Sequence, residues 1–270
     1  MDAQEFRPRL HGRLDRLALL DLRLTCRTGL HIGAGKSNDF GGSDQPILRD
    51  AAGRPLVPGS SLRGILRTGV EGVCATLGLD AFIRRLGDAS GLQPEEEAIL
   101  PRWRALTVAE RLFGAAARES EGFSYASRLQ IADAACEGRV AVELRDGVGI
   151  DRDSRTAAQG IKFDLEVVPA GTAFRGAIRF KNPADHELGL LAQALWMLDN
   201  GALLLGGKSA RGLGWVRVDV TAPRLLDAAQ ILGRPPAPNG GATFGPVEER
   251  LADWLILLER LAKAIGPSRP

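Results

Sequence analysis

The chain has 270 residues, 44% of them hydrophobic, enough for one large core or two small ones, and its formal net charge of +2 announces no whole-molecule field for a polyanion. Three cysteines (Cys26, Cys74, Cys136) and three histidines, without a CxxC pair, exclude a recognisable zinc site and argue against a disulfide framework. The opening "MDAQEFRPRLHGRLDR" lacks the apolar run of a signal peptide and no stretch is long enough to span a bilayer, so a soluble cytoplasmic protein without a membrane partner is expected.

Only five basic residues are lysine (Lys36, Lys162, Lys181, Lys208, Lys263), so arginine supplies most of the positive charge. Its planar donor fork suits phosphate and base edges, although a GC-rich genome would give the same bias.

In chain order, "LDLRLTCR" (20–27) alternates with Leu20, Leu22, Leu24 and Cys26 on one side, which predicts a half-buried strand. A long Gly-, Pro- and Asp-rich stretch follows, and such loops in compact domains commonly bind something. "SSLRGILRTGVEGVCATLG" predicts a helix capped by Ser60 or Ser61, with Leu62, Ile65, Leu66, Val70, Val73 and Leu77 buried. Arg63 and Arg67 fall on another side near its start, a solvated face or a grip for an anion at the helix N-terminus.

Residues 80–104 read as an insertion, and "LTVAERLFG" carries a Thr107…Glu110 capping box. Strands are expected at 127–133, 139–146, 173–180 and 214–220, with a helix over 185–201 capped by Asp185. Strand, helix, strands, strand, helix, strand is the order of an α+β, ferredoxin-like core. It occupies residues 1–222; residues 223–270 are a Pro/Gly-rich linker and an amphipathic helix with Val247, Leu251, Trp254, Leu255, Leu258 and Ile265 on one stripe.

Two Gly-Lys-Ser tripeptides, in "GLHIGAGKS" and "GALLLGGKS", invite comparison with a nucleotide-binding P-loop. That loop needs four residues between its glycines; Gly29 to Gly35 and Gly201 to Gly207 each enclose five, with Leu30 and Ala202 at the required positions. Neither leads from a strand into a helix, so no ATP or GTP hydrolysis is expected. Ordinary strand-end turns would account for both; so would an anion-binding surface of backbone N–H groups with Lys36, Ser37, Lys208, Ser209 and Arg211. A polyanion such as RNA fits better than a nucleotide. With one tyrosine and scattered phenylalanines, the sheet lacks a stacking platform, so loops on a backbone are the expected mode.

"GLHIGAGKS…SDQPILRD…GRPLVPGSSLRGILR" with "LLGGKSARGLGWVRV" resembles the RAMP superfamily of CRISPR-associated proteins over about residues 15–220. More narrowly it resembles the repeated backbone subunit of type III (Csm/Cmr-like) effector complexes. The resemblance implies a modified RNA-recognition-motif fold, copies of which stack along a guide RNA (crRNA) beside other type III Cas subunits. By that match His31, Lys36, Ser60, Ser61, Arg63 and Arg67 are guide-contact candidates, and the glycine-rich loop with Lys208 and Arg211 belongs to the same surface; Ser37, from the anion-binding turn, joins them as an RNA-contact candidate. A thumb-like hairpin that kinks the guide–target duplex falls at about 147–165, with Arg152 and Arg155 near its tip and Ile150 or Ile161 as the intercalating side chain.

Relatives that cut target RNA carry an aspartate just before the "PILRD" position, which is Asp44 here. Its carboxylate would be catalytic, holding Mg2+ or another divalent cation or activating a ribose hydroxyl. Alternatively it caps the turn before Pro46. Asp39 is a second carboxylate in that loop, and Asp50 reads as a turn residue. Two other functions stay open: a scaffold without cleavage, and a nuclease that processes precursor guide RNA with His31 as its histidine.

Overall fold

The computed structural model describes residues 11–35, 43–80, 94–116, 124–150 and 156–234. Strand β1 (Arg16–Cys26) leads through a long connection to the short β2 (Leu56–Val57) and helix α1 (Gly59–Leu77). Helices α2 (Pro94–Ala105) and α3 (Val108–Phe113) follow, then β3 (Leu129–Ile131) and β4 (Ala134–Cys136). A hairpin of β5 (Glu143–Ile150) and β6 (Ala157–Val167) precedes β7 (Ala173–Lys181), α4 (Asp185–Asp199), β8 (Val216–Asp227) and α5 (Ala228–Ile231).

The main sheet runs β2-β4-β7-β1-β8, with β3 also on β7 and every pairing antiparallel. With β3 and β4 sharing the second strand's place, this is the interleaved βαβ arrangement of a ferredoxin-like core. The alternation of β1 works as expected: Leu20, Leu22, Leu24 and Cys26 are buried with Leu62, Leu66 and Val70 of α1 and Leu188, Leu191 and Leu195 of α4. Cys26, Cys74 and Cys136 are free and buried, and burial pushes the Cys26 and Cys74 thiols up to about 12.

The Thr107–Glu110 capping box forms in both directions. The other two caps differ from expectation. Neither Ser60 nor Ser61 caps α1, because the helix already starts at Gly59, with Pro58 in the N-cap position. Its Gly59 N–H donates to Asp133 Oδ1 (2.7 Å), a carboxylate brought in by the β3–β4 connection, and a Cβ at Gly59 would lie 2.2 Å from the Ile131 carbonyl. On α4 the N-cap is Ala184, whose N–H donates to Glu187 Oε2 (2.8 Å); Asp185 instead accepts from Arg16 (3.0 Å).

The strand expected over 127–133 shrinks to β3, and the one over 139–146 is replaced by β4 and the later β5. A left-handed Gly138 (φ +81°) turns the chain off the sheet between them. β8 runs past residue 222 to Asp227, with a register shift opposite Leu19–Asp21. The linker and amphipathic stretch over 235–270 lie outside the described residues.

Behind the sheet, Arg128 and Glu187 form an ion pair with side chains 1% and 3% exposed. Arg128 also donates to the carbonyls of Arg111 (3.0 Å) and Asn182 (2.9 Å). Burial alone would raise the Glu187 carboxyl, but the Arg128 guanidinium overrides it and holds the group down at about 2. Arg111 and Arg128 both lie over the Trp103 ring, 4.8 and 5.5 Å from its centroid, and so tie α2 to the core.

Candidate nucleic-acid interface

The two glycine-rich turns, 172 residues apart in sequence at their lysines but next to adjacent strands β1 and β8, interlock. Gly207 N–H donates to the His31 carbonyl (2.8 Å) and Gly214 N–H to the Gly29 carbonyl (2.9 Å). Gly206 has φ +82°, and a Cβ there would lie 2.4 Å from the His31 carbonyl oxygen, so contact between the loops requires glycine. Lys208 itself is left-handed (φ +63°) and opens a 3-10 turn, Ser209–Arg211, closed by Gly212. The turn presents Ser209 and Arg211 to solvent beside the half-buried Lys208.

Both cations rest on an aromatic ring of the hairpin: Lys208 Nζ lies 5.8 Å and Arg211 Cζ 5.3 Å from the Phe163 centroid. Phe163, Leu165 and Val167 line one face of β6, and Leu165 and Val167 bury against Leu213 of the glycine loop. The hairpin base and the loop are therefore one packed unit.

Along the other edge of β6 runs the segment that holds Asp44. Gln45 bridges Leu165 in parallel, Ser43 Oγ donates to the Asp164 carbonyl (3.0 Å), and Ile47 N–H donates to Glu166 Oε2 (3.0 Å). Arg49 completes the clamp on Glu166 (3.1 Å). Asp44 is exposed; its Oδ2 accepts the Asp164 N–H (3.0 Å), and Oδ1 has no protein partner among the described residues. Asp50 accepts the Ala52 and Arg54 N–H groups (3.0 and 2.9 Å), and the Arg54 hydrogen bonds hold its carboxyl below the ordinary range. It is a turn residue, as its sequence suggests.

The remaining candidates fall differently. His31 is buried, and its Nδ1–H donates to the Glu166 carbonyl (2.9 Å). Ser60 is exposed and Ser61 half-buried at the start of α1. Arg63 and Arg67 do not project freely: Arg63 donates to the Phe113 carbonyl, and Arg67 to Gly114 (3.4 Å) and Glu71 (2.7 Å). They grip the C-terminal carbonyls of α3, where cations are favoured. Lys36, Ser37, Asp39, Arg152 and Arg155 lie outside the described residues, as do the side chains of Ile150 and Ile161. A backbone ladder, Leu48 N–H to Ile32 (2.7 Å) and Leu56 N–H to Leu48 (3.0 Å), joins the first-strand turn to the lead-in of α1. The pieces form one rim.

Sequence reasoning missed Phe163, Glu166 and Asp133. For Phe163 the signal was present: "KFDLEV" alternates Phe163, Leu165 and Val167, an inward strand face inside the expected hairpin. The partners of Glu166 and Asp133 are more than 70 positions away, and no local pattern announces them.

The RAMP superfamily profile matches residues 23–217, from within β1 to within β8, so the match takes in the whole rim. The chain belongs to the RAMP superfamily. Among curated RAMP relatives, the "CRISPR system Cms endoribonuclease Csm3" of Methanocaldococcus jannaschii is 27% identical over 209 residues, 74% of this chain and 77% of the relative. The protein of the same name from Methanothermobacter thermautotrophicus is 52% identical over 50 residues, and that of Mycobacterium tuberculosis 49% over 47. Each of these shorter matches spans 20% of the relative's length. Among the described residues no helix is long and apolar enough to cross a membrane, and no three His, Cys, Asp or Glu side chains group as metal ligands.

Proposed function

We propose that this RAMP protein is a crRNA-binding backbone subunit of a type III CRISPR effector complex and that it cuts target RNA paired to the guide. The names of its relatives support an endoribonuclease of that system. The observation that carries the reading is the shared hairpin base: Lys208 and Arg211 lie over Phe163 on one face, and Asp44 binds the adjacent Asp164 N–H along its edge. Guide contact and cleavage would then be set by one rigid element.

In this reading Lys208 and Arg211, with Lys36, neutralise guide phosphates, and the Ser37 hydroxyl donates a hydrogen bond to the same backbone. Ser60 and Ser61 offer hydroxyls and helix N–H groups, Arg152 and Arg155 reach the duplex from the hairpin tip, and Arg63 and Arg67 contribute their field while tethered to α3. Buried His31 shapes the turn with its carbonyl and ring. That placement favours a backbone subunit over a precursor-processing nuclease using His31. Other copies of this chain and other Cas subunits would complete the complex.

Asp44 is the proposed catalytic residue. Its Oδ1, without a partner among the described residues, can accept a proton from an attacking hydroxyl or hold a divalent cation. One carboxylate is compatible with Mg2+, which keeps several waters and takes further oxygens from RNA phosphate; the metal would supply charge stabilisation there. One observation favours the scaffold alternative: Oδ2 already has a structural use on Asp164. Asp44→Asn separates the two, since the amide oxygen can still accept that bond. In the assembled complex, guide binding should be unchanged and cleavage of a labelled complementary RNA should fall at least about 100-fold. Full cleavage by the Asn variant would leave Asp44 a turn residue.

A further inference from the structure

Helices α1 and α4 cover one face of the sheet; the register shows what the other face holds. Reading across β7, β1 and β8, one row is Arg179, Leu19, Arg224 and the next is Lys181, Leu17, Leu226. Arg179, Lys181 and Arg224 are exposed and make no ion pair among the described residues, whereas Arg23 and Arg175 farther along this face share Glu137. Leu17, Leu19 and Leu226 are only half-buried. Three leucines rimmed by three uncompensated cations suit an amphipathic segment with an acidic margin.

We propose that the chain's own C-terminal segment, residues 247–265, docks across this open face of the sheet over Leu17, Leu19 and Leu226. Its apolar stripe includes Leu251, Trp254, Leu255 and Leu258; as a helix, Leu251 to Leu258 would span about 10 Å. Two strand spacings, the distance from β7 to β8, are also about 10 Å. Glu248 and Glu259, three helical turns apart, fall along one margin of the stripe and match the cationic rim. The reach suffices. Asp227 pairs with Arg16 beside the leucines, and the described chain ends at Arg234. Residues 235–246 are twelve positions rich in Pro and Gly, a length whose random-coil span would be about 20 Å and whose fully extended limit would be ~40 Å. Tethering at that length holds the segment at roughly millimolar effective concentration, ahead of a second copy or an RNA. The segment would thereby close the sheet face and leave the loop rim to nucleic acid.

The test uses the full chain with Leu19→Cys and Leu255→Cys and a short bifunctional thiol reagent. The native thiols are buried, and Cys26 and Cys74 are strongly protonated, so they react slowly. The pair should cross-link within one chain, while a control pair on the helix side, Thr68→Cys with Leu255→Cys, should give at least about tenfold less product. A second measurement guards against poor thiol geometry. Alkylation of Leu19→Cys alone should accelerate about tenfold when Leu251→Asp and Leu258→Asp are added. Equal yields from both pairs, cross-linked dimers, or labelling slowed only by added guide RNA would each overturn the proposal.

Discussion

Behind the sheet, Arg128 and Arg111 are buried, and Arg128 is satisfied by a carboxylate, two carbonyls and the Trp103 ring. At the glycine-loop end, Lys208 and Arg211 have, among the described residues, only the face of Phe163 beneath them, and Arg211 is open to water. The same residue chemistry thus does two jobs. Where a guanidinium is enclosed and fully bonded, removing its partner strands a charge and the fold suffers. Where it rests on a weak π contact, a phosphate can compete for it with little to displace. Arg63 and Arg67 lie between these extremes, half-exposed but bonded to the end of α3.

The largest effect belongs to the interior. Glu187→Gln should cost about 3–5 kcal/mol in urea denaturation, because Arg128 is left buried without a countercharge. The pH dependence has a definite sign. The folded pKa of Glu187 is depressed from 4.5 to about 2, so its contribution is present above pH 4.5 and is lost as pH falls through that window. Wild-type stability should fall more steeply there than that of the variant, and parallel curves would erase the distinction between the two regions. Next in size, Arg63→Ala with Arg67→Ala should lose about 2 kcal/mol of stability through the freed Phe113 and Gly114 carbonyls. A stable double variant with abolished RNA binding would move these arginines from the interior class to the rim class.

Thr107→Ala removes the hydroxyl that receives the Glu110 N–H, and about 1 kcal/mol should go with it, measured by thermal unfolding. Smallest is Phe163→Leu. It keeps a hydrophobic side chain on β6 and removes two surface cation–π contacts, together worth about 1 kcal/mol at most, of which guide binding feels a part, so guide affinity should shift by less than about fivefold. A collapse of the hairpin in that variant would show that the ring is core, not a rest for the cations.

How much of this was written in the sequence follows from the range of the forces involved. Period-two alternation placed β1 and β7, and period-three-to-four patterning placed α1 and α4, because one face of each is buried and the side chains register it. The order of those elements gave the ferredoxin-like sheet, and the glycine turns converged because β1 and β8 are neighbours in it. The caps of α1 and α4 were less legible. Asp133 reaches α1 from 74 positions away, and the cap bond on Ala184 uses a carboxylate that the buried Arg128 also holds. Asp44 could be picked out, but its backing by Asp164, 120 positions on, could not. The resting places of Arg63 and Arg67 on α3 were equally hidden, since a helix wheel shows a face and not what packs on it.

The most direct test of the guide surface is the salt dependence of binding in the assembled protein with a guide-length RNA. Replacing Lys208 and Arg211 together by Ala should weaken binding and flatten the slope of log affinity against log salt by about 1.4, the value for two lost single-strand phosphate contacts. The fold should be intact by its unfolding transition. Unchanged affinity and slope in that folded double variant would contradict the account and place the guide elsewhere on the molecule.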